Sequence, residues 1–235
     1  MDISQHKANI GHLFNSIAPH YDRLNHLLTL GIDRRWRRVA VQGLPRTATR
    51  ALDVACGTAD LTVAVARRCP TAHVTGLDLS DNMLRIAREK VAAAQLAARV
   101  SLRTGNALRL PFGDEEFDVV TCAFGVRNFS DLDAGLREMC RVTRRGGRLA
   151  VLELSIPSAP WLRALFDLYF TGVLPRIGRK VSGHPQAYGY LPASVKAFPS
   201  GAPFLGRLGA AGFTDMAMRK LTCGLCTLYT ATRPT

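Results

Sequence analysis

Asp53, Gly57, Thr58 and Asp78 are the residues of this 235-residue chain whose types and spacing point most directly to chemistry. The stretch Leu52-Asp53-Val54-Ala55-Cys56-Gly57-Thr58-Ala59-Asp60 reads as a strand, a tight turn and the start of a helix. Small residues in such a turn let a ligand approach the backbone, and the helix N-terminus presents free N–H groups. Asp78 closes the next strand, 21 residues after Gly57. An acid at about that distance is placed to accept hydrogen bonds from both hydroxyls of a ribose.

The turn does not spell G-x-G-x-x-G, the pattern that wraps a pyrophosphate; it has one certain glycine with Asp53 and Asp60 on either side. Two nearby carboxylates disfavour a phosphate and favour a ligand with cationic groups. S-adenosylmethionine is such a ligand, a nucleoside with a sulfonium, an ammonium and no phosphate. The plainer alternative is an ordinary strand–turn–helix with an acid nearby by chance, and the placement of Asp78 argues against it. Asn106-Ala107 follow the third strand, where an amide or a backbone N–H meets the edge of an adenine, and Cys122-Ala123-Phe124 end the fourth, beneath the ligand. Singly, each is equally an ordinary packing position. Their recurrence at the carboxyl ends of successive strands gives them weight, because open α/β sheets bind ligands there. Met83, in the first turn of a helix N-capped by Ser80, completes the cofactor-side set.

The elements that must position these residues are short apolar runs rich in β-branched residues: ALDVA, HVTGL, RVSLRT, EFDVVTCAF and GRLAVLEL. Helical patterns lie between them, which indicates a parallel sheet covered on both faces. Residues 1–49 read as a helical cap and 50–155 as the ligand-binding core. Residues 156–200, with six prolines around one aromatic helix (WLRALFDLYFTGVL, Trp161–Leu174), read as a lid insertion. Residues 201–235 read as a last helix and an antiparallel strand pair at one sheet edge. The expected fold is a single α/β domain, doubly wound around a mostly parallel seven-stranded sheet.

Composition sets the outer limits. A hydrophobic content of 47% and a charged fraction of 21% suit one compact domain and not a disordered polypeptide. No uncharged apolar run approaches the ~18 residues of a membrane span. The N-terminus lacks the apolar core of a secretory signal, so a cytoplasmic protein is expected. The net charge of +13 favours anionic partners, a lipid headgroup surface or nucleic acid. No histidine spacing suggests a metal. Cys223-Gly-Leu-Cys226 is spelled like a redox pair but begins a strand, where side chains at i and i+3 face opposite sides, so two buried thiols are expected.

LDVACGTADL, GLDLSDNML, GNALRLPF and EEFDVV occur in the order found in class I S-adenosylmethionine-dependent methyltransferases. FNSIAPHYDRLNHLLTLGIDRRWRR, AFGVRNFSD, LREMCRVTRRGGRLAVLELS, VLPRIGRKVSG and YGYLPASVKAFPS are more specific. With them the sequence, over roughly residues 10–232, resembles the ubiquinone/menaquinone biosynthesis C-methyltransferase family. The resemblance implies methyl transfer to a ring carbon of a prenylated quinol, a demethylmenaquinol more readily than the matching benzoquinol. It also implies that Thr58, Asp78 and Asn106-Ala107 contact the cofactor. Ala123 falls where some members have Ser, Cys56 where a small residue precedes the glycine, and Ala59 where a second glycine is usual. If position 59 needs positive φ an alanine there carries a cost, and if it already begins the helix Ala59 is harmless; the second is expected.

A quinol ring carbon becomes nucleophilic when the neighbouring hydroxyl loses its proton, so a base or a cation that stabilises the phenolate is useful. Arg127 and Asn128, after the fourth strand, are the candidates to lower the quinol pKa and to orient the ring oxygen. The alternative for Arg127 is a solvated or salt-bridged side chain. Tyr21 is the candidate to hydrogen-bond the ring or face the sulfonium with its π-surface, or else it packs between helices. The basic cluster Arg34-Arg35-Trp36-Arg37-Arg38 and the run Arg176, Arg179, Lys180 suggest docking on an anionic membrane at its inner face, with the aromatic lid helix guiding the prenyl tail. Their plain alternative is a solvated basic face. An RNA methyltransferase and a non-catalytic cofactor-binding scaffold are the rival functions. No appended nucleic-acid module supports the first, so no nucleic-acid partner is expected, whereas a homo-oligomer is compatible with the sequence.

Overall fold

The sheet follows from its strands. β1 (Arg50–Val54), β2 (His73–Asp78) and β4 (Phe117–Ala123) are largely apolar runs buried along most of their length, and β5 (Thr143–Leu154) is apolar and buried mainly from Leu149 onward. The other three strands are β3 (Val100–Thr104), β6 (Thr214–Leu221) and β7 (Cys226–Thr232). In the computed structural model, which describes residues 31–157, 159–168 and 185–235 with Asn15, Ala18, Thr29 and Gly172, they form one sheet in the order β3-β2-β1-β4-β5-β7-β6. β1 to β5 pair in parallel, and β7 runs antiparallel to both β5 and β6. The expected antiparallel pair at one edge is present, as is the mostly parallel seven-stranded sheet.

Seven described helices connect the strands: α1 (Ile32–Gln42), α2 (Asp60–Arg68), α3 (Asp81–Ala93), α4 (Leu132–Val142), α5 (Pro160–Leu168), α6 (Pro185–Ala197) and α7 (Ala202–Ala210). Successive strand residues point to opposite faces, which sorts the apolar side chains into two cores. Ala51, Val74, Val119 and Leu152 pack with Trp36, Val65 and Val91 from α1, α2 and α3. Leu52, Val120, Leu149 and Val151 pack on the other face with Leu136 and Met139 of α4 and Phe204 and Leu208 of α7. Ser80 caps α3 as expected, its hydroxyl accepting from the Met83 N–H at 3.2 Å.

Strand order reverses between β1 and β4, which opens a crevice at the carboxyl ends of the strands. Most of the expected helical cap before residue 31, Tyr21 included, and the basic run Arg176, Arg179, Lys180 lie outside the described residues. No described helix is long and apolar enough to cross a membrane.

Candidate active site

The turn after β1 is tightly wound. Ala55, Gly57 and Ala59 all take positive φ, at 53°, 55° and 70°. Ala59 therefore does not begin the helix as expected. It is the left-handed residue just before α2, the conformation that the absent glycine would have supplied without strain. An alanine there costs about 1 kcal/mol. Ala59→Gly is accordingly expected to raise the thermal midpoint by roughly 2–4 °C, and a lower midpoint would contradict the assignment.

Asp78 stands at the end of β2 facing this turn. Its Oδ2 accepts from the Gly57 N–H at 2.8 Å and its Oδ1 from the Ser80 N–H at 2.9 Å. Burial pushes its pKa up, and these backbone donors pull it back. Each carboxylate oxygen keeps a further acceptor position, which suits the two hydroxyls of a ribose. A Cβ built on Gly57 would meet nothing within 4 Å, so the floor of the turn is open. Beside Asp78, Leu79 is 45% exposed, an apolar surface that a base can cover and that the sequence motif does not single out. These features fit a phosphate-free nucleoside.

Asp53 is placed differently from a crevice-lining acid. It is 1% exposed, with Thr62 donating to Oδ2 at 2.6 Å and Thr121 to Oδ1 at 2.9 Å. It thus braces β1 against α2 and β4. Burial raises its pKa to about 6 from 3.8, against the pull of the two hydroxyls and of Arg37. The folded state therefore holds this proton to higher pH than the unfolded state does. Through this group, stability is greatest below the unfolded value and falls as pH rises from about 4 to about 6, by roughly 3 kcal/mol. Denaturant titrations across that window are expected to show a shallower slope for Asp53→Asn than for the native protein; equal slopes would contradict the assignment.

Asp60, the second acid of the turn, does not project a free negative charge. Lys90 Nζ lies 2.5 Å from its Oδ1 and Arg37 lies 3.7 Å from its Oδ2. Lys90 also donates to Thr58 Oγ1 at 3.1 Å. The two-carboxylate argument from sequence is corrected by this: Asp60 is compensated by cations distant in sequence, and the case against a phosphate rests on Asp78 and the short turn. Thr58 is buried and Met83 is 1% exposed, so Met83 underlies the site from the core. At the end of β3, Asn106 is exposed while its Oδ1 accepts from the Leu108 N–H at 2.9 Å, and Ala107 is buried beside it. Asn15, which lies in the family-like stretch FNSIAPHYD but carries no assigned role there, joins this rim: its Oδ1 accepts from Ser80 Oγ at 2.5 Å, and its carbonyl accepts from Asn82 Nδ2 at 3.1 Å.

The end of β4 carries a second polar cluster. Ala123 is half-buried, Phe124 has φ 60°, and a short 3-10 turn over Val126–Asn128 follows. Arg127, 8% exposed, sits 2.6 Å from the fully buried Glu153 of β5, and also donates to the Phe124 carbonyl at 2.5 Å. The salt-bridged alternative for Arg127 is thus what the structure holds. Asn128 donates to the same carbonyl at 3.3 Å and accepts from Tyr190 of α6 at 3.1 Å. Sequence reasoning misses Glu153 and Tyr190, since each meets its partner only through the fold. Trp36 donates to Thr222 Oγ1 at 2.8 Å and packs near the Phe124 ring, and Arg37 lies over that ring, so α1 leans against this end of the sheet.

The expectation of two buried thiols at Cys223 and Cys226 holds for one of them. Cys226 opens β7 and is buried, which pushes its pKa up, but Cys223 lies in the turn over Thr222–Gly224 and is exposed. β7 therefore begins at Cys226, later than the start at Cys223 that the sequence pattern gives.

The sequence model of the ubiE/COQ5 methyltransferase family matches residues 1–233. The chain belongs to that family. It is 47% identical over 218 residues to the demethylmenaquinone methyltransferase of Deinococcus radiodurans, covering 92% of this chain and 89% of that one. It is 42% identical over 230 residues to the ubiquinone/menaquinone biosynthesis C-methyltransferase UbiE of Geobacter sulfurreducens, covering 97% and 90%. Among solved structures, the SAM-dependent methyltransferase of Thermotoga maritima described as a possible histamine N-methyltransferase superposes with a TM-score of 0.65 at 19% identity, over 95% of this chain and 99% of that one. The fold is that of the class I methyltransferases, and this ubiE/COQ5 family member is a methyltransferase that uses S-adenosyl-L-methionine. The two relatives' names agree on quinone methylation; one names demethylmenaquinone alone, the other both ubiquinone and menaquinone.

Proposed function

We propose that this protein methylates a ring carbon of a prenylated quinol, converting a demethylmenaquinol to a menaquinol, while held peripherally on an anionic membrane. The observation that carries the reading is the adjacency of two structures. The nucleoside crevice of Asp78 and Gly57 ends one pair of strands, and the Arg127–Asn128 turn ends the neighbouring strand.

Bound S-adenosylmethionine supplies an electrophilic methyl group on a sulfonium. Asp78 accepts from the ribose hydroxyls, Gly57 and Thr58 line the turn, and Asn106, Ala107 and Leu79 frame the base. Asp53 and Met83 hold that cradle from beneath, and Ala123 leaves room at the floor. Arg127 and Asn128 form the wall against which the ring oxygen rests. The guanidinium favours the phenolate through its charge, and Glu153, sharing that charge, fixes where it points. Tyr21 is proposed to face the ring or the sulfonium. Alignment of this kind contributes several kcal/mol to lowering a barrier of bimolecular origin.

A benzoquinol acceptor is the second reading, since the Geobacter sulfurreducens relative's name gives ubiquinone beside menaquinone. Incubation with methyl-labelled donor and, separately, reduced demethylmenaquinone, the matching benzoquinol and bulk RNA tests both. Label in the naphthoquinol supports the first reading, label in the benzoquinol alone supports the second, and label in RNA alone overturns both.

A further inference from the structure

The basic cluster of α1 is not a uniform solvated face. Trp36 and Arg37 turn inward, whereas Arg34 and Arg38 are exposed and line a groove of about 570 Å³ between α1 and α2. Across it stand Arg67 and Arg68 of α2 and Lys90 of α3, so that with Arg37 six cationic groups converge on one cavity. Among the described residues the one acid in its lining is Asp60, held by both Lys90 and Arg37, and Arg37 is also paired with the buried Asp33 behind it. Arg68 is fixed in place by donating to the Val41 and Gln42 carbonyls at 3.1 and 2.9 Å, which ties the C-terminal end of α1 to α2. Arg34, Arg38 and Arg67 remain exposed around its mouth. Concentrating like charge in a concave site is unfavourable for the fold alone, and it is relieved by an anion.

We infer that this groove is a phosphate-binding site, and that its occupant is the phosphate headgroup of an anionic membrane lipid. The lipid source rests on the reading above, in which the acceptor is prenylated and lies in the bilayer. The remaining lining is Val41, Val63, Ala64 and Gln42. Among the described residues it offers no aromatic ring on which a nucleic-acid base could stack, which disfavours single-stranded nucleic acid. The groove also shares Lys90 and Asp60 with the cofactor turn through Thr58, and Arg37 with Phe124 at the end of β4. A headgroup seated there would bring the crevice to the membrane surface.

The test is sedimentation of the full-length protein with vesicles of pure phosphatidylcholine, or of phosphatidylcholine with phosphatidylglycerol, at low salt. Two triple variants are compared with the native protein. Arg34→Gln/Arg38→Gln/Arg67→Gln removes three groove charges, and Arg88→Gln/Arg137→Gln/Arg219→Gln removes three exposed charges elsewhere. The groove variant is expected to lose about tenfold or more of its affinity for anionic vesicles, and the control variant about threefold or less. Equal losses mean attraction by net charge alone and overturn the site. Inorganic tripolyphosphate and bulk RNA are titrated separately. Binding of tripolyphosphate through the groove arginines with no vesicle binding overturns the lipid assignment, and so does tighter groove-dependent binding of RNA than of vesicles. Matched circular-dichroism melts of the two variants establish that both are folded. No quinol or methyl donor is present, so a negative result here leaves the methyl-transfer reading standing, and failure of that reading leaves vesicle binding measurable.

Discussion

Glu153→Ala is expected to lower the unfolding free energy by about 3–5 kcal/mol and to depress methyl transfer along with it. The carboxylate is fully buried in β5, and its loss strands the Arg127 guanidinium, 2.6 Å away, in a nearly dry site. It also leaves the Leu154 N–H, which donates to Oε1 at 2.9 Å, without that acceptor. Stability and chemistry separate in a second variant. Arg127→Met combined with Glu153→Leu replaces the pair by apolar groups of similar volume, a change that in other buried ion pairs is neutral or stabilising. Denaturant melts are expected to return close to those of the native protein, while kcat stays about a hundredfold down and the Kd for S-adenosylmethionine stays within about threefold. If the double variant regains turnover with stability, the pair is structural only and Arg127 leaves the catalytic wall. Arg127→Ala alone should likewise reduce turnover far more than cofactor affinity; equal losses would refute its role.

Asp78→Ala is expected to weaken S-adenosylmethionine binding by about a hundredfold to a thousandfold. Hydrogen bonds to a charged acceptor contribute roughly 1.5–3 kcal/mol each, and two ribose hydroxyls are at stake. The same side chain also seats the Gly57 and Ser80 N–H groups, so its removal loosens the turn. Asp78→Asn keeps the shape and one good acceptor, and should lose about tenfold. Because burial raises the Asp78 pKa, cofactor affinity should decline on acidification in the native protein at higher pH than an exposed aspartate would give. That decline should be absent in Asp78→Asn. Calorimetric titration reads both effects, and an affinity insensitive to either substitution would remove Asp78 from the site.

Much of the frame is legible in the sequence because it depends on local pattern. Apolar runs such as ALDVA and EFDVVTCAF can be buried on both faces only in a covered sheet, and they form β1 and β4. Ser80 caps α3 because its hydroxyl needs only the Met83 N–H three residues on. What escapes is set by separation in sequence. Asp60 looks like a bare acid because its partner Lys90 is 30 residues away. Glu153 looks like one polar residue in an apolar run because Arg127 is 26 residues earlier, and Trp36 meets Thr222 across 186 residues. Ala59 misleads for a different reason. Its residue type permits a helix start, whereas in the fold it takes φ 70° within a turn whose Gly57 N–H is bonded to Asp78.

The central claim is that the crevice delivers a methyl group to carbon. A single-turnover mixture of the native protein, S-adenosylmethionine labelled with carbon-13 in its methyl group, and reduced demethylmenaquinone tests it, with the product read by nuclear magnetic resonance. The account predicts one labelled methyl resonance at the shift of a carbon-bound ring methyl, in amount equal to the enzyme. Label on a ring oxygen, or none transferred while the donor is demonstrably bound, would contradict it.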